Sequence, residues 1–345
     1  MPPSLHLTDI SAWASLLHSH HRPLLLHLNA DTTWLLQLPY PAAYTPPPGR
    51  THLNILLDPW LVGPQSDVAW WFSTQHHVIS PSVESLKDLN ALLRAVEQRG
   101  LSAESDDEES SEDDATSFID VVAISHEFTD HCHRATLEEL PKDTTVFATD
   151  VAADLIRSWN YFDKVITAPA LAPEVSWTRL PVGALPPWLA IGRVISPGNA
   201  LYYHSAVLIA FDINHRPSSP SPSAEAVIYS PHGIESQDLA GLKSSGVTAL
   251  ALLHGMHDVR IWMTKQLNLG ALNGIKAMDI SGAKYWIATH DEVKQGAGFI
   301  APMLLRTVYT LKEAVATQDT VLRKEGKAPD YDFLELGSGD GVVLE

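Results

Sequence analysis

The stretch Ile124–Leu137, ISHEFTDHCHRATL, begins with the last residue of the apolar run FIDVVAI. Eight consecutive positions within it hold three histidines, one aspartate and the only cysteine of the chain. The apolar run predicts a short buried strand, so the polar side chains follow directly where that strand ends. Loops at strand ends hold side chains rigidly over a cleft, and imidazole and carboxylate groups suit zinc and similar divalent ions. The stretch therefore predicts a metal site.

Further histidines lie at the end of, or just before, other apolar runs. They occur in YYHSAVLIAFDI, IYSPHGI and YWIATHDE. Together with the first stretch they give six candidate metal ligands: His126, Asp130, His131, His204, His232 and His290. Three or four such ligands around an open coordination position are typical of a catalytic site, in which the ion lowers the pKa of a bound water.

The order of these residues resembles the metallo-β-lactamase superfamily, whose signature is H-x-H-x-D-H after a strand. The segments LDPWLVGP, DHCHRATL, IRSWNYFD and ATHDE resemble, more narrowly, an uncharacterised fungal group near the lactonase-like branch. The resemblance spans roughly residues 22 to 310. It implies an α/β fold, a four-layer αββα sandwich with the site at the edge of two facing sheets, usually with two metals. We expect one such domain over residues 1–345.

The resemblance also assigns positions in the signature, and two of them depart from it. The second signature histidine falls on Phe128, which offers no ligand atom, and the bridging aspartate falls on His232. A site made of Asp130, His131 and His290 keeps its full set, and His232 can join it. A second ion held by His126, His204 and His232 is the alternative. The ligand set favours one ion over two. A chain that binds no catalytic metal remains the third alternative.

The expected activity is that of a metal-dependent hydrolase in which a metal-bound hydroxide attacks a small ester, lactone, thioester or phosphodiester. Zn²⁺ is the expected cofactor, with Mn²⁺ or Fe²⁺ as alternatives, and the candidate catalytic residues are Asp130, His126 and His232. The alternative is a diverged, metal-poor lyase, isomerase or small-molecule binder. Phe128 and His232 favour that alternative because both break the expected ligand set.

Composition excludes several other classes of function. The chain of 345 residues has a net charge of -18 and only 23 basic residues, which disfavours nucleic-acid partners and electrostatic membrane attachment. It has no apolar run of the length that a membrane span needs. One cysteine and an N-terminus without signal-peptide features predict a reducing, cytoplasmic location. We therefore expect a small-molecule substrate as the partner; the oligomeric state is not indicated.

Two segments are predicted to lack regular structure. Residues 102–117, SAESDDEESSEDDATS, carry eight acidic and no basic side chains, so we expect a disordered insertion, with an acidic docking tail as the alternative. Residues 215–225, rich in serine and proline, are expected to form a flexible loop. Periodicity predicts helices over 82–100, 267–282 and from about 301 to 324, and a strand over 176–183.

Secondary candidates surround the ligand set. Asp58 either orients a ligand imidazole or belongs to an Asp-Pro turn. Asp291 and Glu292 either act as acid or base, or cap a helix. The remaining candidates are His254 and His257 as substrate contacts, Trp70, Trp71 and Phe72 as walls of an apolar pocket, and Cys132 as a small buried filler. The glycine-rich segment LELGSGDG is discounted as a nucleotide loop, since only four residues follow it.

Overall fold

The computed structural model describes residues 2–101, 117–180, 183–195, 202–214, 223–262, 265–322 and 330–345. The predicted acidic insertion lies outside the described residues except for Ser117, and the predicted loop 215–225 lies outside them except for its last three residues.

The described residues form 19 strands and six α-helices, and strands alternate with helices in the middle of the chain, between Thr74 and Thr167. The strands are β1 (Ser4–His6), β2 (Leu24–His27), β3 (Trp34–Pro39), β4 (His52–Leu57), β5 (Thr74–His76), β6 (Val121–Ile124), β7 (Thr145–Ala148), β8 (Val165–Thr167), β9 (Leu189–Val194), β10 (Ala206–Phe211), β11 (Ala224–Ser230), β12 (Val247–His254), β13 (His257–Ile261), β14 (Lys265–Asn268), β15 (Tyr285–Ile287), β16 (Gln295–Ala297), β17 (Leu304–Val308), β18 (Asp332–Leu334) and β19 (Asp340–Val343). The helices are α1 (Ile10–Ser19), α2 (Leu86–Leu101), α3 (Arg134–Leu137), α4 (Asp150–Ser158), α5 (Ala271–Ser281) and α6 (Leu311–Leu322).

Two large sheets form the centre of the fold. The first has the strand order β1-β19-β2-β3-β4-β6-β7-β8, and the second has the order β18-β15-β12-β11-β10-β9. Two small sheets, β14-β13-β17 and β16-β5, lie outside them. Strands β4, β6, β7 and β8 run parallel in the first sheet, as do β11, β12, β15 and β18 in the second. Each large sheet thus has a parallel half whose carboxyl ends share one edge.

Three hydrophobic layers follow from the alternation of side chains along the strands. In β10, Val207 and Ile209 point into a core between the two sheets, where they meet residues of β3 such as Leu36. The alternate residue Leu208 points the other way, into a core shared with α5. Side chains on the outer face of the first sheet, such as Leu56, pack with α1, α2 and α4.

The layers therefore stack in the order helix, sheet, sheet, helix, and the four-layer αββα sandwich predicted from the sequence is confirmed. Among the described residues, none of the helices combines the length and the apolar composition that a membrane crossing requires.

Some predicted elements are wrong. Residues 176–180 do not form the strand that was predicted over 176–183, because Trp177 is buried in a 3₁₀ helix, Trp177–Arg179, which the Ser176 side chain caps. Residues 181 and 182 lie outside the described residues. The predicted helix over 267–282 begins only at Ala271, after strand β14.

The helix predicted from about 301 to 324 begins only at Leu311 for two reasons. Leu304–Val308 pairs as a strand with β13. Thr310 and Glu313 then form a capping box: the Glu313 amide donates to the Thr310 hydroxyl at 3.2 Å, and the Thr310 amide donates to the Glu313 carboxylate at 2.9 Å.

Close packing of α5 on the second sheet supplies a test of the fold. A methyl group at Gly274 would lie 2.4 Å from the indole of the buried Trp286. Gly274→Ala gains about 0.5–1 kcal/mol of helix propensity but incurs an overpacking cost of about 1–3 kcal/mol, so we expect a net loss of about 1–2 kcal/mol in the free energy of unfolding. Urea denaturation measures it. Gly183→Ala is the control, since no heavy atom beyond its chain neighbours lies within 4 Å of the added carbon. Equal stabilities of the two variants would contradict the packing described.

Candidate metal centre

The signature stretch forms a tight turn at the carboxyl end of β6. The amides of His131 and Cys132 both donate to the carbonyl of Phe128, at 2.9 and 2.8 Å. The turn brings Asp130 and His131 back over the end of the strand, where both are buried. Cys132 is buried in the core next to the helices, as expected for a small filler.

Asp58 fixes the orientation of His131. It lies just beyond β4, is fully buried, and has a φ of 40°, in the left-handed region that few non-glycine residues adopt. Its carboxylate accepts a hydrogen bond from the amide of Ser125 at 2.7 Å and from Nδ1 of His131 at 2.7 Å. A carboxylate can only accept, so His131 carries a proton on Nδ1 and presents Nε2 to the site. Burial opposes a charge on this imidazole, but the Asp130 and Asp58 carboxylates outweigh it and raise the pKa of His131.

Asp31 fixes His290 in the same way. The amide of His290 donates to the backbone carbonyl of Asp31 at 2.8 Å, and Nδ1 donates to the Asp31 carboxylate at 3.1 Å. His290 follows β15 and has a φ of 58°, so it also sits in the left-handed region. Held backbone strain of this kind concentrates at functional sites. The Nε2 of His290 is again the free ring nitrogen.

His232, two residues beyond β11, completes a triangle of imidazoles. Its Nδ1 donates to the side-chain oxygen of Asn268 at 2.9 Å, which leaves Nε2 free. The ring centroids of His131, His232 and His290 lie 4.9, 4.9 and 5.0 Å apart. Asp130 lies at the same place, with its oxygens 3.7 Å from Nε2 of His131 and 3.9 Å from Nε2 of His290.

This donor set fits a divalent ion. Two groups have donor atoms within 4.8 Å of one another, namely Asp130 with His131 and His290, and His126 with His131 and His232. Nε2 of His131 and Nε2 of His232 are only 3.0 Å apart. Two imidazole nitrogens attract at that distance only when a proton or a metal ion lies between them. Ligands of one tetrahedral zinc ion are expected about 3.3 Å apart, given Zn–N bonds of about 2.0–2.1 Å.

His126 and His204 bond to backbone carbonyls instead. Nε2 of His126 donates to the carbonyl of Tyr203 at 2.7 Å, and its Nδ1 lies 2.9 Å from the Ser125 hydroxyl oxygen, so both ring nitrogens have hydrogen-bond partners within the protein. Nε2 of His204 donates to the carbonyl of Leu267 at 3.1 Å, and His204 belongs to neither donor group among the described residues. The structure thus brings five of the six predicted ligands together and leaves His204 outside. Their ligand and catalytic roles stay predictions.

Lys294 is a buried cation at the centre that the sequence did not reveal. Its side chain is 6% exposed, and its Nζ lies 2.6 Å from Asp31 Oδ2 and 2.7 Å from Asp130 Oδ2. The ammonium also faces the ring of Trp60, 5.2 Å from its centroid. Lys294 follows His290 by four residues in an irregular segment, where no periodicity or motif marks it.

The environment sets the protonation of these groups. Burial holds the pKa of His232 and His126 well below the usual range, and burial also lowers the pKa of His290. These imidazoles are therefore neutral at pH 7, the form that binds metals. Burial opposes the charge on Lys294, but the Asp130 and Asp31 carboxylates outweigh it and raise the lysine pKa.

Phe128 lies beside the imidazoles and is half-buried. Its ring is parallel to that of His126, with centroids 6.0 Å apart, and lies 5.7 Å from the ring of His232. An apolar surface thus borders the candidate site where the signature would place a ligand.

The segment with Trp70 and Trp71 is attached to the signature turn, because the Thr129 amide donates to Asp67 at 3.0 Å. Trp70 and Trp71 are 78% and 58% exposed, so they form an apolar rim and do not wall a closed pocket. Phe72 is half-buried and stacks on Phe299.

Other secondary candidates have structural roles. Asp291 accepts the amides of Met256 and His257, and Glu292 accepts the amides of Val78 and Ile79. No helix begins at these two residues, so the predicted helix cap is wrong; they join loops around the site instead.

His254 lies fully buried between a backbone carbonyl and Asn273. His257 is half-buried, and the Arg306 guanidinium donates to its Nδ1 at 2.6 Å.

Comparison with known proteins identifies the fold. No protein-family model and no curated protein matches the sequence. A possible metal-dependent hydrolase from Veillonella parvula matches in structure with a TM-score of 0.52 and 11% identity over 94% of this chain and 100% of that chain. An isothiocyanate hydrolase from Delia radicum gut bacteria matches with a TM-score of 0.51 and 15% identity over 93% and 99%.

A third structure, CmlA, a diiron beta-hydroxylase from Streptomyces venezuelae, matches with a TM-score of 0.50 and 10% identity over 94% of this chain and 55% of that chain. At such identities the likeness shows the fold alone. The layer order and these structures confirm the metallo-β-lactamase type of fold predicted from the sequence.

Because the Asp58 carboxylate orients His131, we expect it to affect the affinity of the site for a metal ion. Asp58→Asn keeps the size of the side chain but removes the charge that orients the imidazole and strengthens its donor nitrogen. We expect zinc to bind about 10- to 100-fold more weakly, as for other outer-shell partners of histidine ligands. Competition with a chelating dye measures the dissociation constant. Asp154→Asn is the control, because that side chain is 82% exposed on α4. Equal affinities in the two variants would argue against the orienting role.

Proposed function

We propose that the protein is a metal-dependent hydrolase of small molecules. One observation carries the proposal: three buried imidazoles, on His131, His232 and His290, each donate Nδ1–H to an oxygen acceptor. Their remaining ring nitrogens are thereby kept as lone-pair donors beside the Asp130 carboxylate. Orienting three histidines by separate outer partners is the arrangement by which proteins hold a catalytic ion.

His131, His232, His290 and Asp130 are the residues that would hold the ion. When bound, a divalent ion supplies Lewis acidity to a substrate oxygen and lowers the pKa of a water toward neutrality. The protein's own residues orient the ligands and exclude bulk water. Asp58 and Asp31 fix two of the imidazoles, and the burial of all four donor groups lowers the local dielectric.

The surroundings favour a substrate with an apolar part. Phe128 borders the imidazoles, and the rim formed by Trp70 and Trp71 is continuous with the signature turn through Asp67. Small esters, lactones, thioesters and phosphodiesters that carry an alkyl or aryl group fit such a surface. The net charge of -18 disfavours polyanionic substrates. Zn²⁺ is the first ion to test, followed by Mn²⁺ and Fe²⁺.

The hydrolase assignment is tested with a panel of chromogenic esters, lactones, thioesters and phosphodiesters. We expect one class to be hydrolysed by protein purified without chelator, to lose turnover after chelator treatment, and to regain it with added zinc. His232→Ala should reduce turnover by more than about 100-fold, since even outer partners of ligands cost about 10- to 100-fold. His18→Ala, at an exposed position of α1, is the control. Substrate turnover that survives chelation and His232→Ala would favour a metal-independent enzyme instead, and no turnover of any substrate by the zinc-loaded protein would favour a small-molecule binder.

The substrate class is tested at Phe128. Phe128→Ala removes part of the apolar surface beside the imidazoles, a loss of about 1 kcal/mol of binding free energy for a half-buried ring. We expect KM to rise roughly fivefold for substrates with a long acyl or aryl group and to change little for acetyl substrates. Steady-state kinetics over a series of chain lengths measures this. Val151→Ala, exposed on α4, is the control. A uniform rise in KM across the series would show that the ring does not select apolar substrates.

A further inference from the structure

We propose that Lys294 serves as a fixed internal cation in place of a second metal ion, so that the centre binds one divalent ion. This inference rests on the proposed metal-dependent function and deepens it, because it fixes the number of ions. Its foundation is the position of the ammonium, which forms ion pairs of 2.6 and 2.7 Å with Asp31 and Asp130.

Lys294 already forms an ion pair with the Asp130 carboxylate, which a second ion would need as a ligand. Asp130 is the one carboxylate in the two donor groups, and its Oδ2 is the atom paired with Lys294. The lysine side chain is only 6% exposed and the Trp60 ring covers it, so the ammonium is held in place and cannot move into solvent. A second ion would have to displace a desolvated ion pair, which is strongly unfavourable.

His131 limits the imidazole groups to one ion between them, so a second ion would have to bind at Asp31 and Asp130, where the Lys294 ammonium lies. Both donor groups contain this residue. Its Nδ1–H is donated to Asp58, so it has one lone pair and can bind only one ion. The two donor groups can therefore bind only one ion between them.

The residues predicted for a second ion are also occupied elsewhere. Nε2 of His126 donates to the carbonyl of Tyr203, and Nε2 of His204 donates to the carbonyl of Leu267. The remaining Nδ1 of His204 has no hydrogen-bond partner, but His204 lies outside both donor groups of the described residues. Phe128 has no donor atom. Of the set proposed for a second ion only His232 retains a free Nε2, and that nitrogen faces His131 at 3.0 Å.

The charges balance with one ion. Three buried carboxylates contact the free imidazoles or the ammonium, namely those of Asp31, Asp58 and Asp130. Lys294 and one divalent ion together supply the three matching positive charges. Two divalent ions beside Lys294 would leave an excess of two positive charges in a buried site, which costs free energy in a low dielectric.

Metal stoichiometry tests the inference without any need for a substrate. Wild-type protein, Lys294→Met, and the double variant Asp31→Asn with Lys294→Met are loaded with excess zinc, desalted, and examined by native mass spectrometry and plasma emission. We expect one zinc per wild-type chain. Lys294→Met should bind a second zinc, because Asp31 and Asp130 are then left without a cation. The double variant should return to one, since one of those carboxylates is neutral.

Two controls separate charge from shape. Lys276→Met changes an exposed lysine on α5 and should leave one zinc per chain. Lys294→Arg keeps the charge and should also bind one. If Lys294→Met does not fold, Lys294→Gln replaces it, because this side chain keeps a hydrogen-bond donor for Asp31 and Asp130 but carries no charge, and the same second zinc is expected.

Two zinc ions per wild-type chain would overturn the internal-cation role and leave the hydrolase proposal intact. A single zinc in Lys294→Met with unchanged affinity, or none at all, would also overturn it. Absence of zinc binding by the wild type would refute the metal-dependent function itself and this inference with it.

Discussion

The centre is governed by the need to neutralise carboxylates that are buried away from water. Asp31, Asp58 and Asp130 lie within one cluster, and an isolated charge in the interior costs several kcal/mol unless it is paired. Neighbouring groups stabilise each carboxylate. Asp58 accepts hydrogen bonds from His131 and Ser125, and Asp31 and Asp130 both form ion pairs with the Lys294 ammonium. The histidine orientations follow from these pairings, and so does the capacity of the site for a divalent ion.

The same contacts connect the two halves of the sandwich. His131 follows β6 of the first sheet, whereas His232 and His290 follow β11 and β15 of the second. The hydrogen bond from His126 to the Tyr203 carbonyl likewise joins the signature turn to the segment before β10. An ion shared across this edge would bind only the assembled sandwich, and ligands that bind only the native state stabilise it. Function and stability therefore depend on the same edge of the fold.

Local signals in the sequence predicted the strands and the six candidate ligands at or near strand ends. The four-layer arrangement and the grouping of Asp130, His131 and His290 came from the resemblance to the metallo-β-lactamase signature, because no local pattern shows how distant segments pack together. Lys294 was missed because it lies in an irregular segment and takes its role from Asp31, which is far away along the chain. The helix predicted from residue 301 was misplaced because pairing with β13 overrides local propensity over Leu304–Val308.

The replacement at Phe128 connects the number of ions with the nature of the substrate. A histidine there would offer a further lone pair to a cation, whereas phenylalanine adds an apolar face parallel to His126. His126 then has a structural bond to Tyr203 in place of a free Nε2. The apolar ring of Phe128 thus lies where the signature would place a ligand of a second ion. For the hydrolase proposed above, the apolar part of a substrate would lie on that ring, and this contact would add binding free energy without any further charge.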